Sequence, residues 1–127
     1  MTALWLFFNG IVYAGMSAAF LFRFPQTTQS MGFSEVDGSA AIELVTVYGG
    51  LGAGLALLLL IAVFKVDQRP FALVILMLSY LFFALGRMAG IGLFPVTSSI
   101  TYYLLGFELI VCFLSWVLWR KNRNVDG

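Results

Sequence analysis

Residues 71–93 read FALVILMLSYLFFALGRMAGIGL, a run whose only charged residue is Arg87. A helix needs roughly 20 apolar residues to cross a 30 Å hydrocarbon core, and this run exceeds that. Working outward, residues 39–64, 100–119 and 3–22 meet the same criterion. Together the four segments use most of the 127 residues, of which 61% are hydrophobic and 10% charged. Soluble domains are far more polar. The expectation is an all-α integral membrane protein, a single domain built as an antiparallel four-helix bundle.

The charges outside the spans orient the chain. With four crossings, Lys65, Arg69, Arg120, Lys121 and Arg123 share one side and only Arg23 lies on the other. Short loops rich in Lys and Arg stay cytoplasmic, so both ends are expected there. Trp5, Trp116 and Trp119 fall at the cytoplasmic interface and Tyr102 and Tyr103 at the opposite one, where amphipathic rings anchor. Residues 1–5 carry no Lys or Arg, which argues against a cleaved signal peptide.

Several function classes are excluded by composition. A net charge of +1 without a basic cluster gives no nucleic-acid footprint. There is no histidine and Cys112 is the only cysteine. His-ligated haem, Cys/His zinc, iron–sulfur clusters and Ser-His-Asp catalysis therefore have no ligands or residues here, and no metal or cofactor is expected.

The candidate site is defined by charges inside the spans. Glu43, Arg87 and Glu108 each interrupt an apolar helix, and a charge at a helix centre costs on the order of 2.5–3.5 kcal/mol even on the lenient insertion scale. At 1.5 Å per residue, Glu43 lies about one turn, Arg87 about 9 Å and Glu108 about 12 Å from the outer ends of their spans. Arg87 is expected to reach one or both carboxylates. Two carboxylates beside one guanidinium leave a surplus negative charge that favours a proton, a cation or a donor-rich ligand.

Helical phase supplies the surroundings. Thr101, Glu108, Cys112 and Ser115 fall within about 40° of one another on the last span. Tyr80 and Phe83 share the Arg87 face, Tyr48 follows Glu43, and Asn9 and Tyr13 add polar groups from the first span. The expected pocket has a polar top and an aromatic interior, suited to an amphipathic ligand. Gly50-xxx-Gly54, Gly49-xxx-Ala53 and Gly86-xxx-Gly90 have the spacing that lets helix backbones approach closely in lipid. They do not form a phosphate loop, because no strand precedes them and no Lys-Ser/Thr follows.

The chain also carries an internal echo. Phe24-Pro25-Gln26-Thr27-Thr28 after the first span resembles Phe94-Pro95-Val96-Thr97-Ser98 after the third, and a Glu-bearing span follows each. That pattern suggests a parallel repeat about the membrane normal.

Pro25 and Gly32, Glu43 with Tyr48-Gly49-Gly50, Gly86-Arg87-xx-Gly90, and Glu108 together resemble a family of small bacterial four-helix membrane proteins known as a domain of unknown function, similar in general character to DoxX-like proteins. The family pattern often has an acidic-glycine turn after the Arg-containing helix, where this chain has Phe94-Pro95-Val96-Thr97. The resemblance implies a bacterial inner-membrane location and supports the Glu43, Arg87, Glu108 set, but it brings no activity.

The sequence favours a non-enzymatic protein that binds an amphipathic small molecule, a lipid or a partner helix in the outer half of the bilayer. A proton- or cation-coupled carrier acting as a homo-oligomer is one alternative, since four spans are few for a carrier. An intramembrane acid–base enzyme using the two glutamates is another. The bilayer itself, a lipophilic small molecule, and a homo-oligomer or larger membrane complex are the partner classes this allows.

Overall fold

The computed structural model describes residues 1–33 and 35–123, with the side chain of Arg123 outside that description. Among the described residues there is no strand. Four helices are long and apolar enough to cross a membrane: Thr2–Phe22, Gly38–Phe64, Val66–Leu93 and Ile100–Asn122. The all-α, multi-pass class expected from the sequence is thus present. By its contacts the chain divides into two compact units, Met1–Val66 and Asp67–Gly127. Each is an antiparallel helical hairpin.

In the first hairpin, α1 (Thr2–Phe22) packs on α4 (Gly52–Phe64) and on the π-helical turns at Val45–Leu51 that precede it. The buried positions of α1 are Leu6, Asn9, Gly10, Tyr13, Ser17 and Phe20, and those of α4 are Gly52, Ala56, Leu59 and Ala62. Small residues set the closeness. A Cβ at Gly10 would stand 2.9 Å from Leu60 Cδ2 and 3.6 Å from the Ala56 carbonyl oxygen, and one at Gly49 would stand 3.0 Å from Leu21 Cδ2. A Cβ at Gly52 would meet Met16 and Ser17 at ordinary contact distance.

The expected continuous second span is interrupted. The π segment lies between α3 (Gly38–Leu44) and α4. At its end the Gly52 N–H donates to the carbonyl of Val47, the five-residue bond of a π turn, and to that of Gly49. The Ser17 hydroxyl also donates to the Gly49 carbonyl, at 2.6 Å. Tyr48 in this segment stacks on Phe20, with ring centroids 4.7 Å apart and planes 16° apart.

The connector between α1 and α3 contains a short helix, α2 (Phe24–Ser30), with Pro25 in its first turn. Proline suits that position because its missing N–H would have no helical partner. The Thr27 hydroxyl ties α2 to the end of α1, donating to the Ala19 and Arg23 carbonyls at 3.0 and 2.8 Å. Gly32, at φ 92°, then closes the helix, with its N–H bonded to Gln29 O and the Phe33 N–H to Thr28 O. This is the Schellman arrangement, and its left-handed residue is normally glycine. α3 begins with Asp37, whose carboxylate accepts from the Ala40 N–H at 2.8 Å.

The second hairpin is longer and more regular. A single 3₁₀ turn, Val66–Gln68, leads into α5 (Arg69–Leu93), and α6 (Ile100–Arg123) returns after residues 94–99. Buried residues recur at helical spacing on both: Leu73, Leu76, Tyr80 and Ala84 on α5, and Glu108, Val111, Ser115 and Leu118 on α6. That three-then-four rhythm makes one continuous face on each helix.

The glycine reading is corrected in part. Gly49 is a close-approach site, as its spacing suggested. Within their own hairpins, Cβ atoms at Gly50, Gly54, Gly86 and Gly90 would meet nothing within 4 Å, whereas Gly10, outside the quoted motifs, is the tightest position. A four-residue spacing places two glycines on one side of a helix but does not say which side meets a neighbour.

Candidate functional site: the Arg87–Glu108 fork and its cavity

Arg87 stands six residues before the end of α5, and Glu108 two turns into α6. The hairpin register brings them together. Arg87 Nε donates to Glu108 Oε2 at 2.9 Å and to Oε1 at 3.1 Å, and Nη2 donates to Oε1 at 2.5 Å. The geometry is the planar fork by which guanidinium grips carboxylate, stronger and more directional than a Lys–Glu contact. Glu108 is buried, with its side chain 6% exposed, against 26% for Arg87. The carboxylate therefore lies on the inner side of the pair and the guanidinium on the outer.

An aromatic layer lies next to the fork along the hairpin. Tyr80 meets Phe107 and Phe83 edge to face, with centroids 5.8 and 6.1 Å apart. Tyr80 was expected to line a pocket, yet it is buried in the helix packing. Its ring fills the space beside α6 because Phe107, one residue from Glu108, faces it.

The guanidinium lines an open cavity of about 290 Å³, whose other walls are Gly90, Ile91, Phe94, Pro95, Val96, Thr97 and Thr101. Of the expected pocket residues, Thr101 is among these walls. The segment from Phe94 to Thr97 was missed. Its signal was present in the Pro95 that forces the chain away from α5 and holds it extended beside Arg87. No acidic side chain lines this cavity.

The remaining expected residues are distributed as follows. Cys112 is half-buried on α6, and Phe83 is 38% exposed on α5. Asn9, Tyr13 and Tyr48 belong to the first hairpin, where Asn9 and Tyr13 are buried and Tyr48 stacks on Phe20. The Asn9 Nδ2 group donates to Trp5 O at 2.9 Å, while its Oδ1 is buried with no hydrogen-bond partner among the described residues. Glu43, expected inside a charge cluster, is exposed on α3. The reason is local: α3 buries none of its residues, so a carboxylate there has no packed face to join. In the second hairpin the carboxylate that Arg87 grips is that of Glu108.

Among the described residues no group of His, Cys, Asp or Glu could hold a metal ion. No curated protein and no solved structure matches the chain. One family model does, over residues 1–119, and so this multi-pass membrane protein belongs to the family described as Domain of unknown function (DUF4345).

Proposed function

We propose that this is a non-enzymatic membrane protein that binds an amphipathic small molecule or lipid head at the Arg87 end of the second hairpin. One observation carries the reading. A paired guanidinium lines an open cavity whose other walls are apolar, glycine or hydroxyl-bearing. Small-molecule sites combine an apolar wall with a few convergent polar groups, usually in roughly 300–1,000 Å³, and this cavity of about 290 Å³ falls just short of that range. Its position about 9 Å from the end of α5, at 1.5 Å per residue, suits a ligand whose head stays near the interface. Native mass spectrometry of gently purified protein tests it. Wild type should retain a small molecule that Gly90→Leu, which fills the cavity, releases; equal retention, or none in wild type, would sink the reading.

The carrier and acid–base readings both require a second carboxylate beside Arg87.

The proposed location is a bacterial inner membrane with both ends cytoplasmic, supported by Lys65, Arg69, Arg120, Lys121 and Arg123 opposing Arg23. Single cysteines replacing Ser30 and Lys65, in a Cys112→Ser background, should label from opposite faces of sealed vesicles. Labelling of both from one face would overturn the topology.

A further inference from the structure

We propose that the ligand of this cavity carries an anionic oxygen head, a carboxylate or phosphate, on a short apolar body, and that Arg87 recognises the head. The inference rests on the amphipath-binding reading above and adds the charge of the ligand. Its basis is an asymmetry in the fork. Arg87 lines the cavity and Glu108 does not, so a molecule entering meets the cation of the pair while the anion stays behind it. The bond from Glu108 fixes the guanidinium plane, and a rigid planar donor set matches carboxylate or phosphate oxygens better than a mobile ammonium does.

The other walls fit the two ends of such a molecule. Thr97 and Thr101 bring hydroxyl groups to the cavity. Ile91, Phe94, Pro95 and Val96 give it an apolar wall, and Gly90 keeps space open, since a Cβ there would meet nothing within 4 Å. At about 30 Å³ per water-sized unit, the cavity holds about ten non-hydrogen atoms. That is the size of octanoate or of one phospholipid headgroup, and smaller than a whole diacyl lipid.

The probes are octanoate and octanol, titrated into protein in phosphatidylcholine nanodiscs and followed by calorimetry against empty discs. Wild type should bind octanoate at least about tenfold more tightly than octanol, because a bond to a charged group is worth more than a neutral one. Arg87→Lys keeps Glu108 compensated but loses the fork, and should abolish that preference while octanol binding persists. Gly90→Leu leaves the fork intact and should lose both probes. If wild type binds both equally, the anionic head is wrong although the cavity still binds amphipaths, and if Arg87→Lys keeps the preference, recognition of the head by the Arg87 fork is wrong. If neither probe binds wild type, the amphipath reading itself fails. Repeating the titration in discs containing phosphatidylglycerol separates the sources. Weaker octanoate binding there than in phosphatidylcholine, absent in Arg87→Lys, identifies a lipid headgroup as the occupant, and unchanged binding identifies a free acid.

Discussion

The two hairpins hold their helices together by opposite means. Seven residues before its Phe-Pro pair, the first has Ser17 and the second has Arg87. Ser17 gives one hydroxyl to a backbone carbonyl, and the helices around it close on small residues at Gly10, Gly49 and Gly52. Arg87 instead reaches across to a buried carboxylate, beside the aromatic layer of Tyr80 and Phe107. In lipid, where apolar surface alone gives little reason for two helices to associate, either close backbone approach or interhelical polar bonding can supply it. The first hairpin uses closeness, and the second uses a charge pair that also leaves a cavity at its end.

The strongest way to break this contrast is to remove the cation. Arg87→Leu leaves Glu108 buried and uncompensated, which should destabilise the protein by about 3–5 kcal/mol. Reversible unfolding in mixed micelles measures it. Adding Glu108→Leu should recover most of the loss, and a double mutant as unstable as the single would mean that the pair is not coupled.

Next in size is the packing of the first hairpin. Gly10→Ile forces a branched side chain against Leu60 and the Ala56 backbone, and overpacking of this kind costs about 1–3 kcal/mol. Gly54→Ala, in open space within its hairpin, should be neutral or stabilising by up to about 1 kcal/mol through helix propensity. Thermal melts of the two variants should therefore move apart, and a shared downward shift would show that Gly54 is packed after all.

Ser17→Ala removes the hydroxyl bond to Gly49 but leaves that carbonyl its bond from the Gly52 N–H. The expected loss is about 0.6 kcal/mol, the average for such bonds between membrane helices. Amide exchange at residues 45–52 should quicken, with α5 and α6 unaffected. The smallest effect belongs to Asn9→Leu. The Oδ1 atom it removes is buried with no hydrogen-bond partner among the described residues, and the gain from losing it offsets the lost Nδ2 bond to the Trp5 carbonyl, so exchange for an apolar side chain of similar size should be nearly neutral in the same unfolding assay.

Much of the architecture was legible because a membrane imposes a length. The four runs around residues 71–93 could be bounded within a few residues by hydrophobicity alone. Arg87 and Glu108 stood out because a charge inside such a run is costly enough to need a partner. Glu43 stood out for the same reason; that it is exposed, on a helix that buries none of its residues, was not legible, because burial is a property of packing that sequence does not carry. The close approach at Gly10 was not legible, because spacing reports a common side without its direction. Nothing in VTVYGGL announced a π-helix. Phe94 to Thr97 read as a connector and turned out to be a cavity wall, because a chain's contacts beyond Pro95 are set by where α5 and α6 end.

The π-helical turns carry a consequence for how the chain tolerates insertions and deletions. Each i→i+5 bond encloses one residue more than an α-helical bond does, so the segment at Val45–Leu51 holds slack in residue count. Loss of one residue within it can be absorbed by reversion to α-helix. The same loss from the middle of α5, where every bond is already i→i+4, would turn Arg87 by about 100° relative to the start of its helix. Length variation in this protein is therefore expected to be borne by the second helix of the first hairpin and refused by the first helix of the second.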